Sequence, residues 1–404
     1  MPIKPLSRRH FLTRSAALGC SLAASPLITP VTFASARGEG RLVVIVLRGG
    51  LDGLDLLPPM GDGNLAALRP DLDPATDLTG FFGLHPAMDP LRPLWAKGQL
   101  AFAHAVSTPY RDKRSHFDGQ DLLEAGTGME TLGQTDTGWL NRLLAQMPGS
   151  EAQTAYAIGR SDMLLMRGPA DVANWSPDAA LTLSPQAELL LERVMHDDPL
   201  FRDATSEAIM LSQSAIGLGA MQDEPGESDM MSAMIAAKTG ARPDAIASFA
   251  AQRLREDTRI AAFSLSGFDT HASQSRGLPK ALERLTQAIT TLRTDLGPIW
   301  DKTTVVAVTE FGRTARINGT GGTDHGTAGA MIMAGGALSR AQVVTDWPGL
   351  SEADLYQRRD LRPTRDLRAH LAWMLRPMFG TEQSVLERAV FPGLDMGPDP
   401  RLIA

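Results

Sequence analysis

Cysteine is almost absent from this chain of 404 residues, which contains a single one, Cys20. If the first 36 residues are removed on export, as argued below, none remains. Disulfide bonds, thiolate metal ligands and a cysteine nucleophile are then excluded. The chain also lacks a basic run, and its formal net charge is -7. An acidic chain of this kind is a poor candidate for binding nucleic acid or an anionic membrane.

The N-terminal residues match a twin-arginine export signal. Ser7 to Thr13 read Ser-Arg-Arg-His-Phe-Leu-Thr, in which two arginines precede a variable residue and then Phe and Leu. An uncharged stretch runs from Ser15 to about Phe33, and Ala34-Ser35-Ala36 provides a cleavage site. We therefore expect a signal peptide over residues 1–36, handled by the twin-arginine translocase, and a periplasmic or secreted mature protein.

Two other interpretations of the N-terminal stretch stay open. A permanent membrane anchor is disfavoured, because the stretch is weakly hydrophobic and contains Pro26 and Pro30. A lipoprotein would be lipidated at Cys20, but Ala17 stands where a larger aliphatic residue is usual. Cleavage after Ala36 would leave 368 residues, and the loss of four positive charges would bring the net charge to -11. That length fits one large α/β domain over residues 37–404.

Five apolar runs predict a mainly parallel sheet flanked by helices. Uninterrupted β-branched runs suit strands that are buried on both faces. The predicted strands are Arg41–Leu47, Leu100–Val106, Ile260–Leu265, Thr303–Thr309 and Ala330–Ala334. Apolar residues at helical spacing over Leu278–Leu296 join two of these runs as a βαβ unit, which is expected to be right-handed.

Two further helical patterns complete the α/β prediction. Asp366–Met378 predicts a late helix, with Asp366 as its N-cap or first-turn acid. Residues 160–245 are rich in Met, Ala, Asp and Ser, with helical patterns at Gln186–Met195 and Ala204–Ile216. We interpret this segment as a helical insertion or cap on the sheet, without a domain of its own.

Polar residues follow four of the predicted strands, where parallel sheets place their sites. The candidates are Asp52 after the first strand, Arg111, Arg114, Ser115 and His116 after the second, Asp269 and His271 after the third, Glu310 and Arg313 after the fourth, and Asp324 and His325 just beyond. Carboxylates and imidazoles are the ligands of divalent ions when thiolates are missing. Clustered carboxylates also repel one another unless a cation neutralises them. The pattern therefore predicts a metal site.

Each element also has a simpler interpretation. Asp52, Asp269 and the Asp324-His325 pair lie among glycines or in loops, where acids often stabilise turns. Each arginine could equally form a salt bridge or a solvated surface. His85 and His104 are more simply structural.

Five motifs in a fixed order resemble one family. They are Arg48-Gly49-Gly50-Leu51-Asp52-Gly53-Leu54, Arg114-Ser115-His116-Phe117-Asp118, Gly267-Phe268-Asp269-Thr270-His271, Thr309-Glu310-Phe311-Gly312-Arg313 and Gly321-Gly322-Thr323-Asp324-His325-Gly326. The chain resembles the twin-arginine-exported bacterial family catalogued as domain of unknown function 1501. Its relatives imply an alkaline-phosphatase-like fold, and the likeness covers nearly all of the mature chain, most weakly at residues 160–245.

The resemblance also implies roles for individual residues. It makes metal ligands of Asp52, Asp269, His271, Glu310, Asp324 and His325. It implies Ser115 as a nucleophile at a helix N-terminus. His116, beside it, is the alternative functional residue. Arg111, Arg114 and Arg313 are implied to bind an oxyanion. Where the superfamily has Asp-His after the fourth strand, this chain has Glu310-Phe311. The lost imidazole leaves open whether one or two ions of Zn, Ca, Mn or Mg are held.

Three functions remain open from the sequence. The first is an exported metal-dependent hydrolase of phosphate or sulfate esters, acting on a small anionic ester. The second is a non-catalytic protein of the same fold that binds a partner or a cell-surface polymer. The third is a phosphomutase or transferase, which the absence of an evident sugar-phosphate-binding domain disfavours.

Overall fold

A computed structural model describes residues 39–158, 163–175 and 242–404. The predicted signal peptide and the helical patterns at Gln186–Met195 and Ala204–Ile216 lie outside these residues. All of the described residues belong to one unit, Ala36–Ala404.

The strands form a large mixed sheet and one small hairpin. Their bounds are β1 Arg41–Arg48, β2 Thr76–Asp77, β3 Gly83–Leu84, β4 Leu100–Ser107, β5 Ala155–Ile158, β6 Ala173–Trp175, β7 Ile260–Ser266, β8 Thr303–Thr309, β9 Gly329–Ala334, β10 Val343–Val344 and β11 Arg365–Asp366. Within the described residues the large sheet has the order β10-β4-β9-β8-β1-β7-β5-β6, with β11 paired to β4, while β2 and β3 pair separately.

Helices lie between and beyond these strands. Their bounds are α1 Gly53–Leu56, α2 Leu65–Leu68, α3 Arg92–Ala96, α4 His116–Ala125, α5 Trp139–Leu144, α6 Pro243–Leu254, α7 Gln274–Leu296, α8 Leu367–Phe379 and α9 Gln383–Val385. Short 3-10 turns cover Pro86–Leu91, Met129–Thr131, Ala152–Thr154, Leu164–Met166 and Gly297–Lys302, and a π-helical turn covers Leu386–Val390.

The sheet is packed on both faces, as its continuous apolar strands require. Along β1, alternate residues such as Ile45 pack with α6 and α7, and the residues between them, such as Val44, pack with α5 and α8. Both side chains are fully buried, and each such burial stabilises the fold by about 1.5–3 kcal/mol. The α/β prediction, with a mainly parallel sheet and flanking helices, is confirmed.

The direction of β9 decides which loops meet. Strands β1, β7 and β8 pair in parallel, whereas β9 runs antiparallel to both β4 and β8. Thus the carboxyl ends of β1, β4, β7 and β8 and the amino end of β9 all lie at one edge. The chain that leaves β8 there also returns there to begin β9.

Helix α7 joins β7 to β8, which both run parallel to β1 and lie on either side of it, so the predicted βαβ unit is present and spans one intervening strand. The described part of residues 160–245 contains the 3-10 turn Leu164–Met166, strand β6 and the first residues of α6. The helices predicted in that segment lie outside the described residues. The late helix was predicted correctly, and Asp366 caps it by accepting a hydrogen bond from the Arg368 amide at 2.9 Å.

Candidate metal centre

Two imidazoles and a carboxylate gather at the sheet edge where the strand ends meet. His116 begins α4 beyond β4, Asp269 follows β7, and His325 lies just before β9. One potential ligand atom from each of these residues lies within 4.8 Å of those of the other two. The structure therefore brings together three of the residues that the sequence singled out, from three separate loops.

His271 reaches the same group from the loop between β7 and α7. Its Nε2 lies 2.9 Å from Nε2 of His325 and 3.0 Å from Oδ1 of Asp269. Two ring nitrogens at this separation repel each other if both present lone pairs. A proton or a metal cation between them removes that repulsion.

The other ring nitrogen of each imidazole faces an oxygen that can only accept a hydrogen bond. The pairs are His116 Nδ1 with Glu310 Oε1 at 2.8 Å, His325 Nδ1 with the Arg114 carbonyl at 2.9 Å, and His271 Nδ1 with Asp324 Oδ1 at 3.4 Å. Nδ1 is therefore the nitrogen through which each ring donates, and Nε2 is the position at which each ring can bind a proton or a cation. Proteins orient imidazole ligands for metals in this way.

A divalent cation fits these donors better than the hydrogen bonds that they make with one another. Nε2 of His116 is buried and has no hydrogen-bond partner among the described residues, although Oδ2 of Asp269 lies 3.4 Å away. A cation would satisfy this atom and relieve the repulsion between His271 and His325. Imidazoles with a carboxylate are a donor set that Zn²⁺ and related borderline ions accept.

Glu310 supports this group from beneath. Its side chain is fully buried, and Oε1 accepts hydrogen bonds from the Gly49 amide at 2.9 Å and from Gln120 at 3.1 Å, besides the contact with His116. Burial would raise the pKa of Glu310, but the hydrogen bond from His116 and the others lower it below its usual value. The structure thus places this predicted ligand behind His116, as a carboxylate that orients the ring.

The surroundings of His116 and His325 shift the pKa values of these two rings in opposite directions. The hydrogen bond to Glu310 raises the pKa of His116, against the opposing effect of burial. Burial lowers the pKa of His325, and the positive charges of His116 and Arg313 add to that effect. The carboxylates around His116 thus favour a proton or a cation at its Nε2, whereas the lowered pKa of His325 favours the form of that ring whose lone pair is free.

Arg313 holds Asp269 in place. Its side chain is fully buried, and Nη1 donates to Asp269 Oδ1 at 2.8 Å and to the Gly49 carbonyl at 3.2 Å. Its remaining contacts are with Thr323, through the carbonyl and Oγ1. Burial would raise the pKa of Asp269, but Arg313 and then the imidazoles lower it. The structure therefore places Arg313 as a support for Asp269, and the oxyanion contact predicted for Arg313 stays a prediction.

The carboxylate of Asp52 lies in a buried ion pair. Arg69 lies 2.9 Å from Oδ2 of Asp52 and also pairs with Asp55. Oδ1 of Asp52 accepts the amides of Leu54 and Asp55 at the start of α1. Burial raises the pKa of Asp55 to about 6, with Arg69 opposing the shift. The structure therefore does not place Asp52 with the imidazoles.

A chain of buried side chains connects this ion pair to the candidate centre. Gln274 donates to Asp52 Oδ2 at 2.8 Å and accepts from Thr323 Oγ1 at 2.6 Å. Thr323 Oγ1 in turn accepts from Arg313 Nε at 3.1 Å. Because Arg313 fixes Asp269, the position of Asp52 bears on the centre through three intervening side chains. Gln274 and Arg69 were missed in the sequence, since neither lies in a motif rich in ligand residues.

Ser115 caps α4 next to His116. Its Oγ faces the amide of Asp118 at 3.4 Å, a long hydrogen bond, and its own amide donates to Tyr110 Oη at 2.6 Å. The expected helix start at Ser115 is confirmed, and the half-buried hydroxyl lies where the helix N-terminus favours negative charge. Phe117, the next residue after His116, is 84% exposed.

The other two arginines near the centre behave differently from each other. Nη1 of Arg111 is occupied by the carbonyls of Thr108 and Tyr110, at 2.6 and 2.7 Å. Arg114 is exposed, has φ of 54°, and uses its carbonyl to hold His325. Its guanidinium makes no ion pair or hydrogen bond within the part of the chain that the structure describes, so it is available to an anion.

Two glycines of the motifs allow the loop between β8 and β9 to close on itself. A Cβ at Gly312 would lie 1.8 Å from the Ala328 carbonyl oxygen, and one at Gly326 would lie 2.3 Å from that of Arg313. No side chain fits at either position. The close approach brings His325 back beside Arg313, where the two residues form an isolated antiparallel bridge.

The molecule is thus an α/β protein with a candidate His/Asp metal centre at the carboxyl edge of a mainly parallel sheet. A family model described as "Protein of unknown function (DUF1501)" matches residues 97–375. Because the match covers more than half of the chain, the chain belongs to this family, as the motifs indicated. No curated protein matches the sequence.

Several solved structures are similar to this one at low sequence identity. A protein in the alkaline phosphatase superfamily from Vibrio parahaemolyticus is 12% identical with a TM-score of 0.42, over 89% of this chain and 71% of that one. The lipoteichoic acid synthase LtaP from Listeria monocytogenes is 8% identical with a TM-score of 0.35, over 88% and 76%. BT1596, a 2-O GAG sulfatase, is 10% identical with a TM-score of 0.31, over 75% and 65%.

No helix within residues 39–158, 163–175 and 242–404 has the length and the apolar character needed to span a membrane.

Proposed function

We propose that this protein is a divalent-metal-dependent hydrolase of phosphate or sulfate esters. The observation that supports it most is that His116, His271 and His325 each have Nδ1 bound to an acceptor and Nε2 directed toward Asp269. A cation held there would supply Lewis-acid chemistry, which stabilises negative charge on an ester oxygen. Zn²⁺ suits three imidazoles and a carboxylate best, and a single ion is proposed because Asp52 and Glu310 are engaged elsewhere.

Two further residues, Arg114 and Ser115, bind the ester and react with it. In the proposal, the guanidinium of Arg114 binds the charged oxygens of the ester. Ser115 Oγ attacks phosphorus or sulfur, its proton passes to solvent, and the bond to the leaving oxygen breaks as the new bond forms. Water then hydrolyses the ester of Ser115 and restores the hydroxyl. The helix N-terminus at Ser115 favours the negative charge that develops there.

Metal analysis of the purified protein tests the proposal. We expect about one divalent ion per chain in the wild type, and its loss in His116→Ala and His325→Ala. His85→Asn is the matched control: it lies outside the centre, and Asn retains an acceptor for the Ala87 amide that His85 Nδ1 accepts at 3.1 Å. Folded variants that keep the metal, or a folded wild type that binds none, would exclude this centre as the basis of function.

Turnover is tested next, on 4-nitrophenyl phosphate and 4-nitrophenyl sulfate. Hydrolysis that is lost with EDTA and restored by one divalent ion supports an enzyme. A second candidate, a non-catalytic binding protein, is favoured by the ion pairs that occupy Asp52 and Arg313. Bound metal without turnover of any ester would favour this second candidate.

Export by the twin-arginine route also remains part of the proposal. Its support is the Ser7 to Thr13 motif with the cleavage site after Ala36. Replacing Arg8 and Arg9 together by Lys is expected to keep the uncleaved chain in the cytoplasm of a bacterial host. Cell fractionation that finds the paired variant exported as well as wild type would contradict this.

A further inference from the structure

A cavity of about 540 Å³ adjoins the candidate centre on the side of the loop between β8 and β9. Asp324 lines the cavity and also faces Nδ1 of His271 at 3.4 Å. Arg359 lines it too, and its Nη1 donates to the carbonyl of His325 at 3.0 Å. Asp324 and Arg359 therefore both line the cavity and contact histidines of the centre. Its volume lies within the range of small-molecule sites, roughly 300–1,000 Å³.

Part of the cavity wall is apolar. Leu68, Leu350 and Leu355 line it, and all three are buried. They belong to a small cluster of their own, apart from the two that cover the faces of the sheet. An apolar group that enters the cavity would therefore contact leucine side chains whose positions are already fixed by packing in this cluster.

The cations of the cavity differ in how far they are already paired. Arg358 lies 2.7 Å from Glu352, and Arg359 lies 2.9 Å from Asp360. Arg316 is exposed, and within the described residues its guanidinium makes a single hydrogen bond, to the Ala67 carbonyl at 3.5 Å. That distance is at the outer limit for a hydrogen bond. Among the described lining residues, Arg316 is therefore the cation whose charge is least compensated.

We propose that this cavity is a subsite for an anionic group carried on an apolar body, with Arg316 as its charge contact. The role of the bound group as part of a substrate rests on the proposed function, but its binding does not. If the protein hydrolyses esters, the preferred substrate carries a second negative charge outside the ester that is cleaved. A contact to such a remote group strengthens binding of the ground state and of the transition state alike, and therefore lowers KM.

Calorimetry with naphthalene-1-sulfonate tests the subsite directly, because this probe joins a fixed anion to an apolar body and has no ester. Titrations use the mature wild type, Arg316→Gln and the matched control Arg340→Gln, which removes an exposed arginine that does not line the cavity. We expect wild type and Arg340→Gln to bind equally, with and without EDTA. We expect Arg316→Gln to bind at least about tenfold more weakly.

A second variant tests the cavity independently of Arg316. Ala67 is exposed and lines the cavity, so Ala67→Glu should abolish binding of the probe through charge repulsion. The proposal is overturned if wild type does not bind the probe, or if both variants bind it as tightly as wild type.

Kinetics then separate this proposal from the proposed function. For an active enzyme, Arg316→Gln should raise KM at least about tenfold for an aryl sulfate that bears a second sulfonate group, with kcat nearly unchanged. KM for 4-nitrophenyl sulfate should not change. If wild type hydrolyses no ester, the proposed function fails, while the calorimetric result still decides the subsite.

Discussion

Glu310 Oε1 lies 2.8 Å from Nδ1 of His116, and the two residues are 194 positions apart in the chain. The carboxylate is fully buried, whereas the imidazole that it holds is partly open to solvent. This pair fixes which nitrogen of His116 faces Asp269. Most expectations about the centre depend on it.

Replacing Glu310 by Gln should weaken metal binding without removing a donor from the centre. Gln keeps the shape of the side chain but loses the charge that holds the ring hydrogen on Nδ1, and such supporting contacts typically contribute 10–100-fold, roughly, in metal affinity. Chelator competition measures the change. Gln120→Glu is not a suitable control because it adds charge. Gln120→Met removes the hydrogen bond to Glu310 and the one that Gln120 accepts from Arg48, leaves the carboxylate of Glu310 on His116, and should have a much smaller effect. Equal affinity in Glu310→Gln and wild type would contradict the orienting role.

The buried ion pair of Asp52 and Arg69 should matter for stability. Arg69→Met leaves two buried carboxylates without a cation, which we expect to lower the free energy of unfolding by about 3–5 kcal/mol. Urea unfolding at pH 7 measures it. Combining Arg69→Met with Asp52→Asn and Asp55→Asn removes the unpaired charges and should recover much of the loss. If the triple variant is no more stable than Arg69→Met, the charges are not the cause.

Ser115 allows capping and reactivity to be separated. Ser115→Ala removes the N-cap of α4 and should cost about 1 kcal/mol, together with any nucleophilic activity. Ser115→Asn retains a capping oxygen, so it should be nearly as stable as wild type and equally inactive if Ser115 is the nucleophile. Thermal unfolding and ester hydrolysis are measured on the same samples. Full activity in Ser115→Asn would transfer the nucleophilic role to another group.

Acid sensitivity should arise in part from His370, far from the centre in α8. Burial lowers the pKa of His370 to about 3, and its Nδ1 has no hydrogen-bond partner within the described residues. The unfolded chain binds a proton at this ring below a pH of about 6.5, which the folded chain does not. Stability is therefore lost as pH falls from about 6.5 toward 3.

A substitution of His370 isolates this contribution. Between pH 7 and pH 4.5, wild type should lose about 2–3 kcal/mol more than His370→Leu. Urea unfolding at the two pH values gives the difference. The prediction fails if both proteins lose the same free energy of unfolding.

The strands were predictable because their apolar runs are continuous, and continuous burial on two faces leaves few alternatives. Residues 303–309 were predicted to the residue, as β8. The order of the strands was not predictable, since β1 pairs with partners more than 200 residues away. No local signal shows that β1 lies between β7 and β8.

At the centre, residue type indicated which side chains gather but not what each one does. The sequence indicates His116 as a possible functional residue but not as one of the predicted metal ligands. Glu310 resembles a metal ligand in the sequence, but in the structure its carboxylate accepts a hydrogen bond from Nδ1 of His116. Likewise, Arg313 resembles an exposed anion contact until its burial and its bond to Asp269 are seen. These assignments depend on contacts between distant segments, which a single sequence does not reveal.

The reversed direction of β9 has a consequence for how the molecule assembles. Glu310, Arg313 and His325 come from one short stretch of the chain, which leaves β8 and begins β9 at the same edge of the sheet. Contacts among these three residues are local in sequence and can therefore form early in folding. His116 and Asp269 come from much earlier in the chain and join only when those segments dock. The complete donor set therefore exists only in the finished fold, so tight binding of a divalent ion would report that folding is complete.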